Sequence, residues 1–200
     1  MRETSRQHLE PYEPAWSPDE LSRGAFRHRL KRYRLDRRLG TGAAYLVERA
    51  DDGALLGGVT LTNIRRGVTQ SASVGYWIGL PFIRQGYASE ALEGVLRYAF
   101  DVLELNRVEA ACMPRNRASI GVLERAGFRH EGLARRYLMI NGVFEDHLLF
   151  ARLRYDLKIA AGAGEGCAGA AEASTPARDP AAAALVNTGP PQTAAEGHAA

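Results

Sequence analysis

At 200 residues, 46% hydrophobic and 24% charged, the chain fits one globular domain with room for a tail. No run approaches the ~20 apolar residues of a membrane helix. The polar start MRETSRQHLEP lacks the apolar core of a secretory signal, and two cysteines, Cys112 and Cys167, make no disulfide framework. A reducing, cytoplasmic setting is the default that follows. The formal net charge of +3 is uneven: from Ala160 on, one Arg stands against four carboxylates, net −3, which leaves +6 for the rest. That balance suits an anionic ligand. The basic residues do not alternate with stacking aromatics as a single-strand binding strip requires, so direct nucleic-acid binding is not expected.

In chain order, residues 1–16 are polar and proline-bearing and read as an extended segment that packs Leu9, Tyr12 and Trp16 onto the domain. Ser17-Pro18-Asp19-Glu20 predicts a helix start, with Ser17 as cap and Glu20 completing a capping box. Leu21, Ala25, Phe26, Leu30 and Tyr33 would form its apolar face, and a run of arginines the others, as a solvated face or a basic lip over a site. Gly40 and Gly42 end it. Ala43–Ala50, a turn at Asp51-Asp52-Gly53, Leu55–Ile64, a turn at Arg65-Arg66-Gly67 and Thr69–Gly79 predict a three-strand meander.

Pro81 stops the third strand, and Gly86 opens a helix on which Ala88, Ala91, Leu92, Val95, Leu96 and Ala99 recur at helical spacing. A glycine at a helix start lets a phosphate approach bare N–H groups at the positive end of the helix dipole. The turn Arg84, Gln85, Gly86, Tyr87, Ala88 therefore predicts a pyrophosphate site, with a plain strand-to-helix turn as the alternative. Arg107–Met113 is a strand reached through that helix, which implies a parallel pair. Asn116 and Ser119 begin a short helix that stops at Gly127, and Phe128–Ile140 and Val143–Leu153 form a hairpin about Asn141-Gly142. Residues 159–200, rich in Ala, Gly and Pro, predict a disordered tail behind a domain spanning 1–158.

Taken together, GYWIG (75–79), QGYASEAL (85–92), RVEA (107–110), NRASIGVLERAGF (116–128), EGLARRYLMINGVFEDHLLFA (131–151) and RETSRQHLEPYEP (2–14) resemble the GCN5-related N-acetyltransferase (GNAT) superfamily. Within it the chain is similar to the RimJ/RimL group of ribosomal-protein N-terminal acetyltransferases. The resemblance implies an α+β acyl-CoA N-acyltransferase fold, a mixed and mostly antiparallel sheet with one parallel βαβ crossover. Relatives carry a further strand ahead of the segment that begins here at Arg2, so a missing first strand and an unpaired sheet edge are expected.

The resemblance also assigns roles. Acetyl-CoA would be the co-substrate, with no metal. Its pantetheine arm would lie along Trp77, Ile78 and Gly79, with the Ile78 N–H as donor to the thioester oxygen. Asn116 and Ser119 would contact the arm, and Ser119 would stabilise the departing thiolate. A plain helix cap at Asn116 and a core role for Trp77 are the alternatives. The tyrosine that many relatives use as acid falls at Leu123, and the glutamate proposed as base in RimL-like proteins falls at Arg136. Glu109, Glu131, Glu145, Asp146 and His147 are the base candidates. Cys112 has no activating partner in the pattern and reads as core.

The acceptor expected from the resemblance is a protein N-terminus beginning with Ala or Ser, on a ribosomal protein or the ribosome. A small amine, such as an antibiotic or polyamine, is the second reading, and a catalytically weak acetyl-CoA-binding module the third. No membrane partner is expected, and the state would be a monomer or homodimer.

Overall fold

The computed structural model describes residues 1–156 and the backbone of 183–187. Six strands between residues 43 and 153 build one mixed sheet: β1 (Ala43–Arg49), β2 (Leu55–Arg65), β3 (Ser71–Ile78), β4 (Arg107–Cys112), β5 (Arg129–Ile140) and β6 (Val143–Leu153). They lie in the order β5-β6-β4-β3-β2-β1, antiparallel except for β3 and β4. The turns chosen by sequence make the hairpins, because Gly53, Asn141 and Gly142 take the positive φ that tight turns demand. The crossover helix α3 (Tyr87–Arg97) continues through a π turn at Tyr98–Val102 and packs Ala91, Leu92, Val95, Leu96, Ala99 and Phe100 onto the sheet. Its 3.6-residue periodicity sets that face. Helix α4 (Arg117–Arg125) adds Leu123 to the same core.

Three expectations are corrected. Residues 1–16 are not extended. They wind through helical turns at Glu3–Ser5, α1 (Arg6–Leu9) and Glu10–Tyr12, burying Ser5 and Leu9. The Ser5 hydroxyl accepts the Leu80 N–H at 2.8 Å, which ties this segment to the end of β3. The basic helix α2 runs Arg23–Leu39, with Ser22 rather than Ser17 as its cap; Ser22 Oγ accepts the Ala25 N–H at 3.0 Å. Ser17 instead bonds Asp19, and Glu20 pairs with Arg29, so the residues of the supposed capping box are used by a preceding turn. Its apolar face is also weaker than expected: Leu21 and Phe26 are exposed, and α2 buries no residue fully.

At the outer edge of β1, residues Ala183–Asn187 add β7, antiparallel to it. That edge was expected to stand unpaired, and these residues fall in the segment expected to be disordered. The remainder of 159–200 lies outside the described residues.

Two adjacent glycines let β2 and β3 approach closely. A Cβ at Gly57 would overlap the Trp77 carbonyl, and one at Gly58 would lie 2.8 Å from the Trp77 indole nitrogen. Backbone cannot yield as a side-chain tip can. Gly57→Ala is therefore expected to destabilise the fold by about 2–3 kcal/mol, read as a lower denaturant midpoint.

Candidate active site

The parallel pair is short. Ser71, Ala72 and Ser73 pair with Arg107, Val108 and Glu109, and beyond them β3 leaves β4. Strand β4 stays paired to β6 as far as Cys112, so a wedge opens between Val74–Ile78 and Ala110–Cys112. On the other side of β3, the Gly79 N–H donates to the Leu56 carbonyl at 2.7 Å. Antiparallel alternation then turns the Ile78 N–H away from β2 and toward the wedge.

At the start of α3, Arg84 and Gly86 both take positive φ, +60° and +89°. Among the described residues, none of the N–H groups from Arg84 to Ala88 meets a backbone carbonyl; Ser89 and Glu90 are the first to bond, both to the Gly86 carbonyl. Gln85 is held by its side-chain amide on the Pro81 carbonyl at 3.1 Å. The turn thus presents a run of bare donors at the positive end of an eleven-residue helix.

Beside it lies a cleft of about 420 Å³ lined by Gln85, Gly86, Ser89, Glu93, Arg125 and Arg152. Arg152 donates to the Ala126 carbonyl, and its buried Nε has no acceptor among the described residues. Burial holds its pKa below the ordinary guanidinium value. Gly127, at φ +74°, leaves room for it, since a Cβ there would stand 3.1 Å from the guanidinium carbon. Sequence reading missed Arg125 and Arg152, because only the packing of α4 and β6 brings them beside Gly86.

The wedge is bridged from the helical side. Asn116 caps α4 by accepting the Ser119 N–H at 3.1 Å, so its expected capping role is real. The Ser119 and Tyr76 hydroxyls lie 2.9 Å apart, where either can donate, and the single Tyr76 proton can alternatively reach the Ser119 carbonyl at 3.3 Å. Burial pushes the Tyr76 pKa up to about 12, so the phenol stays protonated. Burial likewise raises the Cys112 thiol, against a hydrogen bond with Ser119, which makes it a poor nucleophile. Tyr76 was not singled out from sequence. Its signal was alternation, since Val74, Tyr76 and Ile78 share the face that α3 and α4 cover.

On the opposite face, Arg2 stacks 4.7 Å from Trp16 and 5.2 Å from Trp77, and bonds Glu13 through two nitrogens. The Trp77 indole is committed to that stack, and only its backbone borders the wedge. The amino-terminal segment also reaches the β5–β6 hairpin, where the Asn141 N–H donates to the Glu13 carbonyl, and the loop before α4, where Arg115 meets the Pro11 carbonyl.

Most base candidates are engaged in structural bonds. Glu109 pairs with Arg65 and Arg107 at 2.9 Å, and Arg107 grips Glu131 through both carboxylate oxygens, lowering its pKa. Asp146 accepts the Arg136 N–H at 2.7 Å, within the β5 bulge. His147 is buried against Tyr137 with Nδ1 at 2.9 Å from the Glu145 carbonyl. Glu145 pairs with Arg115 at 2.8 Å, in the loop just ahead of Asn116. Leu123 is buried in the core and its side chain has no proton to donate. Among the described residues no cluster of His, Cys, Asp or Glu could hold a metal ion.

A splayed parallel pair with a donor-rich turn at the crossover helix defines the acyl-CoA N-acyltransferase class of fold. The family of the acetyltransferase (GNAT) domain matches residues 3–129, and the chain belongs to it. It is 30% identical over 147 residues to the [ribosomal protein uS5]-alanine N-acetyltransferase of Escherichia coli, covering 74% of this chain and 76% of that protein. It is 47% identical to the probable N-acetyltransferase YjcK of Bacillus subtilis over 107 residues, 54% of this chain and 59% of the relative. Among solved structures, Mycobacterium smegmatis RimJ in complex with CoA-disulfide superposes with a TM-score of 0.72 at 33% identity, covering 80% of this chain and 81% of that one. The ribosomal-protein-S5-alanine acetyltransferase of Vibrio fischeri gives 0.73 at 30%, covering 78% and 85%. The protein is thus a GNAT N-acetyltransferase, a fold that implies acetyl-CoA as co-substrate. No helix among the described residues is long and apolar enough to cross a membrane.

Proposed function

We propose that the chain transfers acetyl from acetyl-CoA to the N-terminal α-amine of a protein, with Ala- or Ser-starting ribosomal proteins as the substrate class. The observation that carries this is the wedge between β3 and β4, with the Ser119 hydroxyl hydrogen-bonded across it to Tyr76. Similarity to the uS5-alanine enzyme over three quarters of the chain supports the acceptor.

The N–H groups of Arg84, Gln85, Gly86, Tyr87 and Ala88 hold the pyrophosphate, and the exposed Arg84 side chain adds a charge-assisted contact. Trp77, Ile78 and Gly79 supply backbone for the pantetheine arm, and Asn116 fixes the helix turn that presents Ser119. The neutral amine attacks the thioester carbon, and the Ile78 N–H stabilises the developing oxyanion. As the carbon–sulfur bond breaks, Ser119 donates its hydrogen bond to the thiolate while the Tyr76 hydroxyl donates to Ser119 Oγ. The amine proton leaves to water.

A terminal amine with a pKa of ~7.7–8.0 needs no strong protein base near neutrality. The expected pH profile follows. Since only the deprotonated amine attacks, kcat/KM rises about tenfold per unit below that pKa and then levels. Tyr76, neutral to about 12, adds no alkaline fall.

Free-thiol release from acetyl-CoA, with peptides beginning in Ala, Ser or Met, tests the acceptor. Turnover with the Ala and Ser peptides is expected. Turnover confined to small amines overturns the reading.

A further inference from the structure

Helix α2 carries eight basic residues and one acid, Asp36. Their arrangement is resolved by the side of the helix that meets the domain. Ala25, Arg29, Leu30, Tyr33, Asp36 and Arg37 are half-buried and turned inward. Opposite them, Arg23, Arg27, Lys31, Arg34 and Arg38 are all exposed. At 100° per residue these five fall within an arc of about 80°, and they run some 22 Å along the helix at 1.5 Å per residue. None of the five has an ion pair or side-chain hydrogen bond among the described residues, whereas Arg29 is paired with Glu20. Like charges at i and i+4 on one face destabilise a helix. Among the described residues the stripe is therefore an uncompensated cost, relieved when an anionic partner lies along it.

We infer that this stripe docks the phosphate backbone of double-helical RNA. Double-stranded DNA carries a charge about every 1.7 Å of axis and A-form RNA is no sparser, so the phosphates along ~22 Å of duplex outnumber the five cations. A lipid surface fits less well, because it needs one continuous apolar face beside the charges. The exposed apolar residues Phe26, Leu35 and Leu39 are split to either side of the stripe. A protein partner would need an apolar anchor at the centre, and the stripe contains none. The absence of stacking aromatics argues against reading bases in a single strand and leaves phosphate contacts untouched. The choice of RNA among polyanions rests on the ribosomal substrate proposed above; the stripe itself does not.

The test is fluorescence anisotropy of a labelled RNA duplex of about 16 base pairs with the full chain across a salt series. A log–log salt slope near −4 is expected, which is roughly 250-fold weaker binding at about 200 mM than at 50 mM. Arg27→Gln with Lys31→Gln and Arg34→Gln should cut that slope by about 3, while Arg27→Lys with Arg34→Lys keeps it. All three positions are exposed, so turnover of a short Ala-starting peptide should not change, and the thermal midpoint should hold or rise slightly as the like-charge i, i+4 pairs are removed. An unchanged slope in the triple glutamine variant overturns the proposal, as does tighter binding to vesicles of one part phosphatidylserine to three parts phosphatidylcholine than to RNA. Peptide turnover is read separately. Its absence alongside the expected RNA slope would sink the acceptor reading and leave the stripe standing.

Discussion

Gly86→Glu is expected to weaken acetyl-CoA binding by at least about 100-fold by calorimetry while leaving the chain folded. The residue sits at φ +89° with open space where a Cβ would point, so a side chain meets no wall. Instead its carboxylate would stand among the bare N–H groups from Arg84 to Ala88, where like-charge opposition to a phosphate costs several kcal/mol. The left-handed backbone adds a stability cost of about 1–2 kcal/mol for any side chain. Gly86→Ala carries that strain without the charge, so it should retain affinity within several-fold and separate the two effects. Full affinity in Gly86→Glu would place the phosphates elsewhere.

The second large effect is at Ser119. Ser119→Ala should lower kcat by roughly 10–100-fold with little change in the KM for acetyl-CoA. A hydrogen bond to a charged group is worth about 1.5–3 kcal/mol, and the thiolate charge exists only as the bond breaks. Tyr76→Phe removes the hydroxyl 2.9 Å behind Ser119 and should give a smaller fall in kcat, again with KM held. A rise in KM with kcat unchanged in Ser119→Ala would make the serine a binding contact only. The double variant should cost less than the product of the single effects, because both act through one hydrogen-bond chain.

Much of this architecture was legible because it is local. Period-2 alternation marked the strands, Asn141-Gly142 fixed the β5–β6 register, and Gly86 and Gly127 stood where positive φ was required. Asn116 as a cap followed from the preference of its side chain for a free N–H at a helix start. The misjudged segments were those in which tertiary contacts replaced local ones. Ser17 to Glu20 has the composition of a helix start, yet Glu20 is drawn to Arg29 and the helix waits for Ser22. Residues 1–16 looked extended because their prolines discourage regular helix, but the Leu80 N–H waiting for Ser5 winds them into short turns.

At the site, the sequence alone determined the chemistry available: a glycine turn suited to an anion, an Asn-x-x-Ser helix start and a strand that must run parallel to its predecessor. These depend on backbone preferences and spacing, which act within a few residues. Only the tertiary structure decided where the strands part, that Tyr76 bonds Ser119 forty-three residues away, and that Arg152 lies beside Gly86. The physical reason is range. A hydroxyl pair or a guanidinium beside a glycine turn is set by how sheet and helices pack, and distant packing leaves no periodic mark in the chain.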